Sequence, residues 1–389
     1  MKNRRRSARA GSAAVLAGLV VVAGPAAAAY AASGAVLAGP AAASAPVTLS
    51  TISTGAVSLG AIAVDSRRGL VYSQTYSSNG LLVYHVATGT LTADAVSADV
   101  DNIVVAEKTG DVYIPDCFNS AGPTMVVVRG SAILGDVPFP SCGEDLTVDQ
   151  ATGLVYALGD GTVTVLNGTT VMATIPVGGD PLAVAVDPSD GLVYVVNDSS
   201  DGTVSVIKGT QVVATVPVGV HPEAVGVDPG THTAYVVNQG FPGDASVSVL
   251  HGADAMPTAT VPIGSMGSNQ AYVTVNPRNH LAYVAVSYVH GSVEILRGGT
   301  LIATDAVGSH PSGIAVDPAN GYVTVTSSDS SEVAVLQGTA VTQTFTVAGD
   351  QFPGGFDTRN GQSYIAVQNG PTGSIVDDLD ILQTPTPAK

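Results

Sequence analysis

The hydrophobic pattern of this chain is short in range and β-like. Runs of five to eight residues rich in Val, Ala, Ile, Leu and Thr recur between clusters of Gly, Pro, Asn and Asp. That arrangement predicts strands separated by tight turns. Residues 191–197 (Gly-Leu-Val-Tyr-Val-Val-Asn), 203–207 and 212–218 follow one another with only turn residues between them. Past the N-terminal segment, no stretch keeps the spacing of an amphipathic helix, so the pattern predicts an all-β protein.

The pattern also repeats. Leu182-Ala183-Val184-Ala185-Val186-Asp187-Pro188 matches Ala224-Val225-Gly226-Val227-Asp228-Pro229 and Gly313-Ile314-Ala315-Val316-Asp317-Pro318. Aligned on the Asp, the equivalent positions are Asp65, Ala106, Asp149, Asp187, Asp228, Asn276, Asp317 and Asp357, at spacings of 41, 43, 38, 41, 48, 41 and 40. Eight repeats result, each reading as four strands, a to d. Gly89, Gly130, Gly168, Gly209, Gly252, Gly298 and Gly338 fall at the c–d turns, where a two-residue hairpin needs positive φ. Pro138, Pro176, Pro217 and Pro262 share one position in strand d. Proline cannot donate to a ladder, so strand d must be an exposed edge.

Four-stranded units with one exposed edge, repeated radially, describe a β-propeller. Eight four-stranded blades are expected, with seven as the alternative if a terminal repeat packs irregularly. The chain ends soon after the eighth strand c (374–382), so residues 47–53 are expected to supply the missing eighth strand d and close the ring.

Tyr194-Val195-Val196-Asn197 and Tyr235-Val236-Val237-Asn238, with Gly202-Thr203-Val204-Ser205-Val206-Ile207 after the first, resemble the secreted YVTN-type β-propeller repeat family. The resemblance spans residues 47–383 and departs most in repeat 2, where Ala106 replaces the Asp, and in repeat 8, where Phe356 replaces Val. It implies a propeller outside the cytoplasm but no single activity.

The N-terminus agrees with that compartment. Lys2, Arg4, Arg5, Arg6 and Arg9 precede an apolar run over 11–23, and Ala29-Tyr30-Ala31 offers a small-residue cleavage site. Residues 1–31 read as a Sec-type signal peptide, whose apolar run is short for a membrane span. Residues 32–46 read as an Ala/Gly/Pro-rich linker, 47–383 as the propeller and 384–389 as a Thr/Pro tail. The mature chain is expected to be secreted, extracellular or in the cell envelope, monomeric and without a membrane span.

Charge narrows the partners. Of 389 residues, 14 are Lys or Arg and 31 are Asp or Glu, for a net charge of −17. Removing the signal peptide leaves nine basic residues against 31 acidic ones. That balance argues against nucleic acid, whose binding needs basic surface. In a propeller the a–b and c–d turns share one face, and the b–c and d–a loops share the other. Apart from Lys389, every mature Lys and Arg maps to the first face. The second carries Asp99, Asp101, Asp116, Glu144, Asp145, Asp180, Asp198, Asp201, Glu223, Asp244, Asp329 and Asp350. Such a face attracts cations and basic surfaces and repels anionic substrates.

Seven positions before the repeat Asp lies a polar ring at the d–a loops: Ser58, Asp99, Cys142, Asp180, His221, Asn269, His310 and Asp350. Asp180, His221, His310 and Asp350 could ligate a divalent metal ion, the cofactor this ring could hold. Against that, Asp180, His221 and His310 each stand before Pro in a turn, where a polar side chain caps the backbone. His290, with Tyr288, lies in a b–c loop on the same face and could approach His310. Asp99, Asn269 and His290 join the ring as candidate binding residues. The loops Asp198-Ser199-Ser200-Asp201-Gly202 and Asp329-Ser330-Ser331-Glu332 crowd oxygen atoms as calcium would require, without a full calcium-loop pattern. His85, His232, His251 and His280 receive no role.

Cys117 and Cys142 fall in neighbouring loops of the acidic face, and an exported chain with two cysteines is expected to pair them. No nucleophile elbow or phosphate-cradling glycine loop is present in the sequence. The reading is a non-catalytic binding or scaffold propeller whose acidic face takes a cationic ligand or an extracellular protein. The alternative is a metal-assisted hydrolase or oxidoreductase with its site at the channel mouth.

Overall fold

The computed structural model describes residues 48–54, 59–75, 80–94, 96, 102–117, 121–139, 141, 145–240, 243–264, 266, 270–317, 320–347, 350–357, 362–368 and 378–383. The signal peptide, linker and tail expected from the sequence lie outside them. Eight four-stranded antiparallel sheets form a ring, as the repeat predicts. The innermost strands a are Leu59–Asp65, Val104–Ala106, Leu146–Val148, Asp180–Asp187, Pro222–Asp228, Ala271–Asn276, Pro311–Val316 and Asp350–Asp357. Each touches the next, and the last touches the first.

Closure follows the expected route. Thr48–Ser53 pairs antiparallel with Asp378–Gln383 and is the outermost strand of blade 8, so the first and last described strands share one sheet. In blades 2 to 5 the prolines sit in strand d opposite the start of strand c (Pro138↔Thr124, Pro176↔Thr162, Pro217↔Thr203 and Pro262↔Ser246), with no further strand beyond them.

Burial explains the two hydrophobic patterns. Blades stack face to face, so a central strand such as Leu192–Asp198 is buried on both sides and reads as a continuous apolar run. The outer strand Gln211–Pro217 alternates between exposed positions and buried or half-buried ones instead. The core is therefore a set of clusters between blades. One joins Ala183, Tyr194, Val196, Val204 and Val216 of blade 4 to Val225, Ala234, Val236 and Leu250 of blade 5.

The repeat Tyr of strand b extends this packing with a hydrogen bond to the c–d turn of the next blade. The Tyr113 and Tyr235 hydroxyls accept from the N–H of Gly168 (2.9 Å) and Gly298 (3.0 Å). Those of Tyr194 and Tyr283 donate to the carbonyls of Gly252 (3.1 Å) and Gly338 (2.9 Å). Burial pushes the ionisation of all four above the usual tyrosine range. The seven c–d glycines all have positive φ, from 54° to 67°. A Cβ at Gly209 would meet nothing within 4 Å, so conformation and not space selects glycine there.

Candidate functional site

Of the polar ring, Ser58, Asp99, Cys142 and Asn269 lie outside the described residues. Asp350 begins strand a of blade 8, opposite Gln368. Asp180 begins strand a of blade 4, exposed and opposite Asp198.

His221 and His310 occupy equivalent turns with left-handed backbones, at φ 49° and 48°. Each is a peptide staple between blades. The His221 N–H donates to the Ser199 carbonyl of blade 4, and its own carbonyl accepts from the Gln239 N–H of blade 5. The His310 N–H donates to the Tyr288 carbonyl of blade 6, and its carbonyl accepts from the Ser328 N–H of blade 7.

The imidazoles face carboxylates. His221 Nδ1 lies 2.8 Å from Asp198 Oδ1, in hydrogen-bonding alignment. His310 Nδ1 lies 2.9 Å from Asp329 Oδ2, an ion-pair contact without that alignment. Each carboxylate belongs to one of the loops read as a candidate calcium loop. A left-handed backbone disfavours residues with a Cβ, and a fixed imidazole partner offsets part of that cost. The two histidines begin blades 5 and 7 with blade 6 between them, and each is held by its own Asp. His290 is exposed beside exposed Tyr288 and Val289, in the loop that accepts the His310 N–H. Among the described residues, no cluster of three or more candidate metal ligands includes a member of the ring.

The opposite face shows what sequence reasoning missed. The repeat Asp is buried and organises the a–b turn. Asp228 Oδ1 accepts the Gly230 N–H at 3.0 Å, Asp149 Oδ1 accepts the Ala151 N–H at 2.9 Å, and Asp187, Asp228 and Asp317 are each 0 % exposed. Four residues on, the turn needs a left-handed backbone, supplied by Gly69, Gly110, Gly153, Gly191 and Gly321. Blades 5 and 6 place His232 (φ 53°) and His280 (φ 57°) there instead.

Both histidines reach back to the preceding blade. His232 Nδ1 is 2.9 Å from Asp187 Oδ2, and His280 Nδ1 is 2.8 Å from Asp228 Oδ2. The reading that gave them no role is thereby corrected. The signal available in the sequence was a histidine where most repeats have glycine. Between blades 6 and 7 the same latch is made by Asn276 Nδ2 donating to the Gly321 carbonyl at 3.2 Å.

Some of the described basic residues join this system. Arg68 pairs with Asp65 at 2.8 Å and donates to the carbonyls of Glu107 and Thr109 on the next blade. Lys108 donates to the Ala151 carbonyl of blade 3, and Arg129 pairs with Asp111. On the other face, the described b–c and d–a segments carry Asp116, Asp145, Asp160, Asp180, Asp198, Asp201, Glu223, Asp244 and Asp329 with no Lys or Arg. Asp145 among them is structural: buried, it accepts from Asn102 of blade 2 and from the Val184 N–H of blade 4.

Among the described residues, no helix is long and apolar enough to cross a membrane. No family model and no curated protein matches the sequence. Solved structures match in shape. The chain resembles the structure titled Dos1 propeller, with TM-score 0.68 and 10 % identity, covering 87 % of this chain and 96 % of that one. It also resembles the hydrazine synthase of Kuenenia stuttgartiensis, with TM-score 0.55 and 13 % identity, covering 74 % of this chain and 97 % of that one. At these identities the likeness is one of fold, and the chain is an eight-bladed β-propeller.

Proposed function

We propose that the chain is an exported, non-catalytic binding or scaffold propeller of the YVTN-type repeat family, whose acidic b–c/d–a face takes a cationic ligand or a basic protein surface. The observation that carries this reading is the separation of charge. The described Lys and Arg residues sit on the a–b/c–d face, where Arg68 and Lys108 tie neighbouring blades, and the other face keeps carboxylates with no Lys or Arg to screen them. Uncompensated negative potential of that kind draws in positive partners from a distance. Export rests on the basic-then-apolar N-terminus and on the small-residue site near Ala31. A pairing of Cys117 with Cys142, expected from the sequence, would suit that oxidising compartment. The ring residues Asp99, Asp180, His221, Asn269, His290, His310 and Asp350 belong to the binding face in this reading.

Poly-L-lysine is the probe. Mature protein is expected to bind it at low ionic strength and to release it as salt rises towards 0.5 M, since screening shortens the reach of surface charge. The triple substitution Asp198→Asn, Asp201→Asn, Asp329→Asn should weaken binding several-fold, while Arg278→Gln on the other face should not. Binding that ignores salt, or that ignores the triple substitution, would overturn the assignment.

A further inference from the structure

We propose that Asp187, Asp190 and His232 form a site for one divalent transition-metal ion of the zinc class, seated between the a–b turns of blades 4 and 5. This site lies on the face opposite the binding surface described above, and its success or failure is independent of that reading. The ligand atoms of the three residues lie within 4.8 Å of one another. His232 Nδ1 is 2.9 Å from Asp187 Oδ2 and 3.5 Å from Asp190 Oδ2. Two ligand atoms each about 2.1 Å from a metal are about 3.0 Å apart at a right angle and about 3.4 Å apart at the tetrahedral angle. Both separations match that spacing without movement of the backbone.

The remaining polar atoms of the carboxylates are already committed, which aims the free ones. Asp187 Oδ1 accepts from the Ser189 N–H at 2.9 Å and from the Ser189 hydroxyl. Asp190 Oδ1 accepts from the Leu192 N–H at 2.9 Å. Such outer bonds fix the orientation of a ligating carboxylate. Asp187 is fully buried, whereas the His232 side chain is 43 % exposed, so the cluster opens to solvent on one side. A fourth ligand can therefore be water or a group from outside. On binding, the metal takes the place of the proton shared between Nδ1 and Asp187, and that proton leaves to solvent.

The neighbouring latch is a built-in control. His280 faces Asp228 in the same manner, but Thr231 stands where blade 4 has Asp190, and its hydroxyl donates to Asp228 Oδ2 at 2.7 Å. That latch has two candidate ligands, and one is capped by a hydroxyl. A histidine and a carboxylate suffice for the latch, so Asp190 is the residue that makes a metal site of it.

The experiment is titration of chelator-stripped mature protein with Zn2+, read by calorimetry and by thermal shift. One equivalent is expected to bind and to raise the melting temperature. Asp190→Asn keeps an oxygen for the Leu192 N–H and should weaken binding on the order of 10-fold or more. His232→Gly places at 232 the residue that six other repeats carry there, so it should fold and lose the site. His280→Gly should bind like the parent. Absence of a stoichiometric site in the parent overturns the proposal, as does binding undiminished by Asp190→Asn and His232→Gly.

Discussion

The latch between blades 5 and 6 can be rewritten as the one between blades 6 and 7. Asp228 is fully buried and accepts the Gly230 N–H at 3.0 Å, the Thr231 hydroxyl at 2.7 Å and His280 Nδ1 at 2.8 Å. Asp228→Asn keeps an oxygen for the Gly230 N–H, but its amide replaces the carboxylate oxygen that held His280 Nδ1, and the charged contact is lost. The lost bond involves a carboxylate, so the cost is about 2 kcal/mol. Thr231 loses less, because its hydroxyl also lies 3.0 Å from Thr233 Oγ1. His280→Gly loses the same contact but relieves a left-handed residue at φ 57°, worth roughly 1–2 kcal/mol, so its net cost is about 1 kcal/mol.

Independent effects would sum to about 3 kcal/mol. In the double variant, the amide introduced at 228 can donate to the carbonyl of residue 280, as Asn276 donates to the Gly321 carbonyl. One hydrogen bond returns, and the double variant should be better than the sum by about 1 kcal/mol or more. Urea unfolding of the four proteins tests this. The chain has no Trp, so tyrosine fluorescence and circular dichroism serve as the two probes. Coincident transitions and a constant slope are needed, since repeat proteins can unfold in parts. Additivity within about 0.3 kcal/mol would refute the view that Asp–His and Asn–Gly are interchangeable latches.

Two further outcomes follow from the same turns. The bond to Asp187, aided by the charges of Asp190 and Asp228, raises the His232 ionisation above its usual value near 6.5. A raised folded value means that this stabilisation is complete below about pH 6.5 and is lost as pH climbs through the folded value. With metal chelated, the urea midpoint of the parent minus that of His232→Gly should fall between pH 6 and 9, and a flat difference would contradict the assignment. At the turns, Gly209→Ala should cost about 1–2 kcal/mol from its φ of 62° alone, because nothing crowds the added methyl. Gly202→Ala should cost more, since its Cβ would collide with the Gly219 carbonyl and with Pro222. Equal midpoint shifts for the two would show that backbone conformation and steric closeness are not separable here.

The blade count and the closure were legible because each depends on features local to one repeat. The Asp-Pro turn, the c–d glycine and the strand d proline recur at fixed offsets, and the missing eighth strand d had one supplier. What was illegible lies between repeats. His232 and Asp187 are 45 residues apart, and His280 and Asp228 are 52 apart. No local pattern joins such pairs until blade-to-blade register is known. The ring of His221 and His310 was placed on the right face for a reason the sequence exposed only in part: the Pro that follows each one marks a turn. That both turns are left-handed staples across blades, with Asp198 and Asp329 as anchors, needed coordinates.

The same physics runs through all four histidines. Each stands at positive φ, at a position that other repeats fill with glycine for His232 and His280 and with other residues for His221 and His310, and each meets an aspartate within 3 Å. A histidine gives up the freedom of glycine and gains a contact that ties the turn to a neighbouring strand or loop. In a ring of similar blades, the contacts of His221, His232 and His280, whose aspartates belong to the preceding blade, distinguish one neighbour from another, whereas Asp329 belongs to His310's own blade. The inter-blade His–Asp contacts are at the junctions from blade 4 to blade 6, so those junctions carry a specificity that the glycine turns lack. A chain whose blades are nearly alike can mispair during folding, and latches that depend on the identity of both partners disfavour such errors. His232→Gly and His280→Gly together should therefore lower refolding yield by more than they lower the urea midpoint would imply. Yields that track the midpoint alone would leave the four histidines as stabilising contacts and nothing more.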